Sequence, residues 1–133
     1  MGNLSVFDVA GRAMSAQLVR LNTTASNLAN AGAIAGSEKD AFRSLKPVFK
    51  TVGGADGVAT VQVDRVVTAG NDPTKRHDPN HPLADANGDV WESGVDGAAE
   101  LVEMMETARQ YQNNVQVLQT AKSLTLDTLR LEK

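Results

Sequence analysis

Apolar positions recur with a helical spacing at both ends of this chain and with a strand-like spacing between them. From Leu4 to Asn30, the positions Phe7, Ala10, Met14, Gln17, Leu21, Thr24 and Leu28 alternate three and four residues apart. From Gly94 to Lys133, the positions Leu101, Met104, Ala108, Tyr111, Val115 and Leu118 do the same. This spacing puts each set on one stripe of an α-helix, with the period of about 3.5 residues of a coiled-coil seam. The first seam is thin, because Gln17 and Thr24 occupy two of its places. Asn30 and Gly32 supply its stop signal. No Pro or Gly follows Gly97, so the second helix is predicted to run without a breaker to Lys133. At about 1.5 Å per residue it would reach roughly 50 Å, so it needs another helix alongside. Glu100, Glu103 and Glu106 fall in its first turns, where carboxylates complement the helix dipole.

Between the helices the pattern changes. Ala33 to Asp40 reads as a small-residue loop. Val48, Phe49 and Val52 precede a turn at Gly53, Gly54, Asp56 and Gly57, and Val58, Val61, Val63, Val66 and Val67 follow it with partial alternation. Two strands of a β-hairpin are predicted there, and a hairpin alone is marginal, so it must pack on a helix or a further strand. Ala69 to Val90 contains Pro73, Pro79 and Pro82 and reads as a polar loop. Asn87-Gly88 signals a type I′ turn, with a short strand at Val90 and Trp91. The expected fold is α+β, mainly α. Long N- and C-terminal helices are expected to pair as a coiled coil, with a small β-containing insertion between them. Residues 1–32 and 94–133 form one discontinuous coiled-coil domain, and residues 33–93 the hairpin and loop insertion.

Composition narrows the function. A net charge of −3 and a pI near 5.3 imply no strongly basic face, so nucleic acid and an anionic membrane surface are not expected partners, and without an apolar span neither is direct membrane insertion. No apolar run approaches a membrane span, and the N-terminus lacks the pattern of a cleavable secretory signal. There is no Cys for disulfides or thiolate chemistry. Arg20 is the sole charged residue from Ala13 to Ser37, and Gln110 to Ala121 has none. Solvated helix faces ordinarily carry Lys and Glu. Two readings stand: a neutral polar surface, or burial on several sides in an assembly. On the second reading, Phe7, Met14, Gln17, Leu21, Leu28, Tyr111, Val115, Leu118 and Leu124 pack in or beside the seams. Asn27, Asn30, Gln112 and Asn114 then bridge subunits by side-chain hydrogen bonds. Two such thin seams bury too little within one chain to offset ordering entropy of about 1–2 kcal/mol per residue, so neighbours are expected to complete them.

The candidate chemistry fails on geometry. His77 and His81 have a helical metal-ligand spacing, but Pro79 and Pro82 break any helix there. Asp85, Asn87 and Asp89 imitate the start of a calcium loop, yet Val90 stands where Gly is needed and Asp96 where a bidentate Glu is needed. No nucleophile motif or phosphate-cradling loop occurs. No catalytic, cofactor-binding or metal site is predicted, and no enzyme.

Three stretches carry a family resemblance. AMSAQLVRLNTTASNLANA (Ala13 to Ala31), with its Asn-Leu-Ala-Asn core, resembles the N-terminal motif of the flagellar rod and hook axial proteins. HDPNHPLADANGDV (His77 to Val90) resembles a stretch of the proximal-rod members, and Ala108 to Leu131 resembles their C-terminal helix. Gly32 departs from the usual Asp or Val, Asp89 from the usual aromatic, and Ser93 to Asp96 from the usual Pro-Asn-Val linker. The resemblance implies a structural subunit of the proximal rod of the bacterial flagellum, part of a drive shaft around an export channel, and it implies that the two terminal helices pair antiparallel in their coiled coil. The implied partners are other copies, other rod proteins, the basal-body membrane ring with its rod-junction protein, and the type III export apparatus. The implied location is the rod in the periplasmic space, reached without a cleaved signal. A distal rod or hook subunit, or a soluble helical adaptor or export chaperone, is the alternative.

Overall fold

The computed structural model describes residues 5–132. The helical expectations for residues 1–4 and for Lys133 lie outside the described residues. The first helix, α1, spans Val6–Ala29. It starts on a capping box: the Ser5 hydroxyl accepts from the Asp8 N–H at 3.2 Å, and the Asp8 carboxylate accepts from the Ser5 N–H at 3.0 Å. The Ser5 N–H holds the Asp8 carboxyl below its usual range, helped by the Ser5 hydroxyl and the Arg12 charge. At the other end, Asn30 caps the helix and donates from its side chain to the Ser26 carbonyl at 2.8 Å.

Five short strands follow: β1 Ile34–Ala35, β2 Leu45–Gly53, β3 Ala59–Thr68, β4 Thr74–His77 and β5 Asp89–Glu92. The predicted hairpin is β2–β3, closed by a bond from the Gly54 N–H to the Val58 carbonyl at 2.6 Å. Its turn needs Gly57, whose φ is 82°. A bulge explains the imperfect alternation. Val48 faces Arg65 but Phe49 faces Val63, so Asp64 is the extra residue. The shift brings Val66 onto the same face as Val63.

The other three strands form an antiparallel sheet in the order β1-β5-β4. Two of them lie in segments read as loops from the sequence. β1 and β4 are too short to show a period, and they exist because β5 supplies hydrogen bonds on both sides. Asn87-Gly88 is not a type I′ turn, because that needs positive φ at both residues and only Gly88 has it, at 77°. The Asp85 carboxylate organises this turn instead, accepting from the N–H groups of Asn87 at 2.8 Å and Asp89 at 2.9 Å. Those donors, Asp89 foremost, lower the Asp85 carboxyl from its ordinary value.

The last helix, α2, spans Gly97–Leu131. It begins later than Gly94 because Asp96 is its cap, accepting from Ala98 N–H at 3.1 Å and Ala99 N–H at 3.2 Å. Gly94 has a separate duty: a Cβ there would lie 2.6 Å from the Asp72 carbonyl oxygen. α2 packs antiparallel on α1, with Gln110 beside Gln17, Glu103 beside Arg20 and Gly97 beside Leu28 and Ala31. The hairpin packs on another side of α1, and among the described residues α2 packs on no strand. α1 is thus the element on which both partners sit.

Every described residue from Lys122 to Glu132 is exposed, so α2 overhangs α1 by about ten residues or roughly 15 Å. The interior is narrow. Its largest fully buried side chains are Val90, Asn27 and Thr107, and small or hydroxyl residues such as Ala10, Ala16, Thr23, Thr24 and Thr60 fill much of the rest.

Two outcomes are expected. Gly94→Ala forces a Cβ into backbone and lowers unfolding stability by about 1–3 kcal/mol. Gly11→Ala, where a Cβ meets nothing within 4 Å inside α1, leaves it unchanged or raises it by about 0.5–1 kcal/mol; urea melts of both variants check this. The Asp8 carboxyl is lowered on folding, so its contribution is full above the unfolded value of about 3.9 and is lost as pH falls through the lower folded value. The first turn of α1 is expected to stay protected on acidification to about pH 4 and to loosen below that, read by NMR, with Asp8→Asn removing the transition.

Candidate subunit interface

A chain of polar contacts ties the two helices together. Arg20 donates through Nε to Glu103 Oε1 at 2.6 Å, and a second guanidinium nitrogen pairs with the same oxygen. Its Nη1 donates to Gln110 Oε1 at 3.3 Å, and Gln17 Nε2 donates to that oxygen at 2.8 Å. Gln17 Oε1 is buried with no donor among the described residues. Thr107, fully buried on α2, returns its hydroxyl to the Glu103 carbonyl at 2.7 Å, as Thr23 does to Arg20 at 2.9 Å. These bonds let hydroxyls occupy the dry interior without unpaired donors.

The tie between α1 and the hairpin is also polar. Asn27, 2% exposed, donates through Nδ2 to the Leu45 carbonyl at 2.9 Å and accepts from the Leu45 N–H at 2.7 Å. Arg12 Nη1 donates to Thr60 Oγ1 at 3.1 Å nearer the other end. The Ser93 hydroxyl lies 2.7 Å from the Asn30 carbonyl and 2.8 Å from that of Ala31, holding the small sheet to the end of α1. Where α1, β2 and the start of α2 diverge, a groove of about 430 Å³ opens between Thr24, Leu45, Phe49, Glu100 and Glu103.

The predicted interface residues divide by burial. Met14, Gln17, Leu21, Leu28, Tyr111, Asn114, Val115 and Leu118 are half-buried on the helices. Asn27 bonds through both amide atoms to Leu45, and Asn30 through Nδ2 to Ser26, within the chain. Phe7, Gln112 and Leu124 are exposed. The seam of α2 keeps five of the six positions read from the sequence, with Met104, Ala108, Tyr111, Val115 and Leu118 half-buried. Thr107 is its most buried residue and Leu101 lies outside, because Glu103 must turn towards Arg20. Hydrophobicity gives no weight to that pull.

The outer surface carries the apolar residues that the interior lacks. On α2, Leu101, Val102 and Met105 are exposed near the start. Val117, Leu124 and Leu131 form an exposed row at seven-residue spacing, with Leu126 and Leu129 on other sides of the overhang. On α1, Val6, Phe7 and Leu18 are exposed, and on the hairpin Phe49 and Val66. Apolar rows of this extent mark contact surfaces for other chains. The sequence reading missed most of them. The signal for Arg20 was available, as a single charge in a charge-free stretch.

Comparison with known proteins follows the same division of the chain. A model of the Flagella basal body rod protein family matches residues 7–32, and a model described as Flagellar basal body rod FlgEFG protein C-terminal matches residues 86–131. These stretches are α1 with its cap, and β5 with α2 and the turn before it. The flagellar basal-body rod protein FlgC of Salmonella typhimurium is 44% identical over 133 residues, covering 98% of each chain. FlgC of Yersinia enterocolitica is 43% identical over 134 residues with the same coverage. FlgC of Agrobacterium fabrum is 30% identical over 127 residues, 94% of this chain and 91% of the relative.

Because Arg20 and Glu103 pair within the chain, charge reversal acts on the subunit itself. Arg20→Glu and Glu103→Arg are each expected to destabilise it, and the double exchange to recover a coupling of about 1 kcal/mol in a double-mutant cycle. Additive losses would place the pair outside the fold's energetics.

Proposed function

The chain belongs to the FlgC family of flagellar basal-body rod proteins and is a structural subunit of the basal-body rod; from that premise we propose that it stands in the proximal rod, where the shaft that transmits torque begins. In this reading α1 and α2 pair as an antiparallel coiled coil and stack with those of neighbouring subunits around the export channel. The β-containing insertion lies outside them. The partners are further copies, the other rod proteins, and the membrane ring with its rod-junction protein. The type III export apparatus delivers the chain to the periplasmic space. The role is mechanical: torque passes through helix interfaces and no bond is made or broken. No helix among the described residues is long and apolar enough to cross a membrane, which agrees with attachment through protein contacts.

The observation that carries this reading is the overhang of α2. Leu124, Leu126, Leu129 and Leu131 are exposed on a helix end that, among the described residues, extends past the start of α1. Burying one such side chain stabilises an assembly by about 1.5–3 kcal/mol, so a few of them on each subunit account for a firm contact.

Deletion of the gene in a motile flagellated bacterium, with electron microscopy of its basal bodies, tests the assignment. Basal bodies that stop at the membrane ring without a rod are expected, and so is the same arrest with Leu124→Glu/Leu131→Glu. Arrest only at the hook would indicate a distal axial subunit. Normal swimming would refute a rod role.

A further inference from the structure

Asn87 is the only asparagine in this chain followed by glycine. It is exposed on the loop between β4 and β5, and its side-chain amide has no hydrogen-bond partner among the described residues. Two other asparagines are held: Asn27 bonds through both amide atoms, and Asn30 through Nδ2. Asn80 is exposed, but His81 follows it, and a side chain at that position hinders approach to its backbone nitrogen. At Asn87 the free amide can turn back towards the Gly88 nitrogen, whose own residue carries no side chain to block it.

We propose that Asn87 is a site of spontaneous succinimide formation, converting to aspartate or isoaspartate as the folded protein ages and releasing the β4–β5 connection from its clamp on Asp85. The Gly88 nitrogen attacks Cγ of Asn87. A new N–C bond forms, the bond from Cγ to Nδ2 breaks, and the former Gly88 proton leaves with the amide nitrogen as ammonia. Water then opens the five-membered ring at either carbonyl, giving aspartate or an isoaspartate whose backbone runs through the side-chain carbon. The net change is one water consumed and one ammonia released, with no oxidant or reductant.

Asp85 sets the rate and suffers the consequence. The Gly88 N–H donates to the Asp85 carbonyl at 3.0 Å, so attack requires that bond to open. The Asp85 carboxylate restrains the turn through Asn87 and Asp89. Once the ring closes, Gly88 has no N–H left to donate. Isoaspartate then lengthens the backbone beside a residue that cannot shift freely. A Cβ on Gly88 would lie 2.9 Å from Pro79, and the Gly88 carbonyl accepts from the Asp78 N–H at 2.8 Å. Asp89, the next residue, opens β5 and faces His77 Nδ1 at 2.9 Å.

Full-length protein incubated in warm, mildly alkaline buffer and mapped by peptide mass spectrometry tests this. Residue 87 is expected to exchange NH2 for OH several-fold faster than Asn80, as a mixture of aspartate and isoaspartate, and faster as pH rises. Asp85→Ala should speed the conversion and Asn87→Gln should abolish it. In the isoaspartate fraction, the amides of Asp78 and Asp89 should exchange with solvent faster than in the intact protein. Survival of Asn87 equal to that of Asn80 would overturn the site. An unchanged rate in Asp85→Ala, or unchanged exchange in the isoaspartate fraction, would overturn the clamp.

Discussion

The paired hydrogen bonds between the Asn27 side chain and the backbone of Leu45 are the point on which this fold depends. They join the last turn of α1 to the first residue of β2 where water is excluded. An amide is suited to that place because it donates and accepts at once, as a neighbouring strand would. With the hairpin fixed there and by Arg12 on Thr60, one flank of α1 is covered. The flank that faces α2 is then left to Arg20, Gln17 and the thin seam around Met14 and Leu21. Losing one partner of a buried pair costs about 1–3 kcal/mol, a large share of the stability of a small domain.

This arrangement reverses the usual division between interior and surface. Hydroxyls, amides and alanines hold much of the inside of the subunit beside Val90 and Val95, while many of its leucines, several valines and Met105 lie outside. A polar interior fixes one geometry, because each bond has a direction. An apolar exterior suits a chain whose neighbours supply the remaining burial.

The two helices and the hairpin were legible in the sequence, because the 3.5-residue and two-residue periods there are long enough to read. β1 and β4 were not, since strands of two and four residues are defined by their pairing with β5 and not by any pattern of their own. The seam of α1 was read well through Ala10, Met14, Leu21 and Thr24, whereas Phe7 lies outside it. The seam of α2 was read through Met104, Ala108, Tyr111, Val115 and Leu118, all half-buried, but Leu101 lies outside it and the buried Thr107 was not read as part of it. Apolar counting favours alanine over threonine and cannot see that Thr107 satisfies its hydroxyl on Glu103. Asn27 was singled out, but its partner is a backbone group eighteen residues away in its own chain, and no local pattern announces such a bond.

The most direct measurement is residue-resolved amide hydrogen exchange on the isolated subunit and on assembled rods. The Leu45 amide, bonded to Asn27, is expected to be among the slowest in both. Amides from Lys122 to Leu131 should exchange quickly in the isolated subunit and become protected in the rod. Protection of Lys122 to Leu131 equal to that of Leu45 in the isolated subunit would contradict this, because the end of α2 would then have a partner without its neighbours.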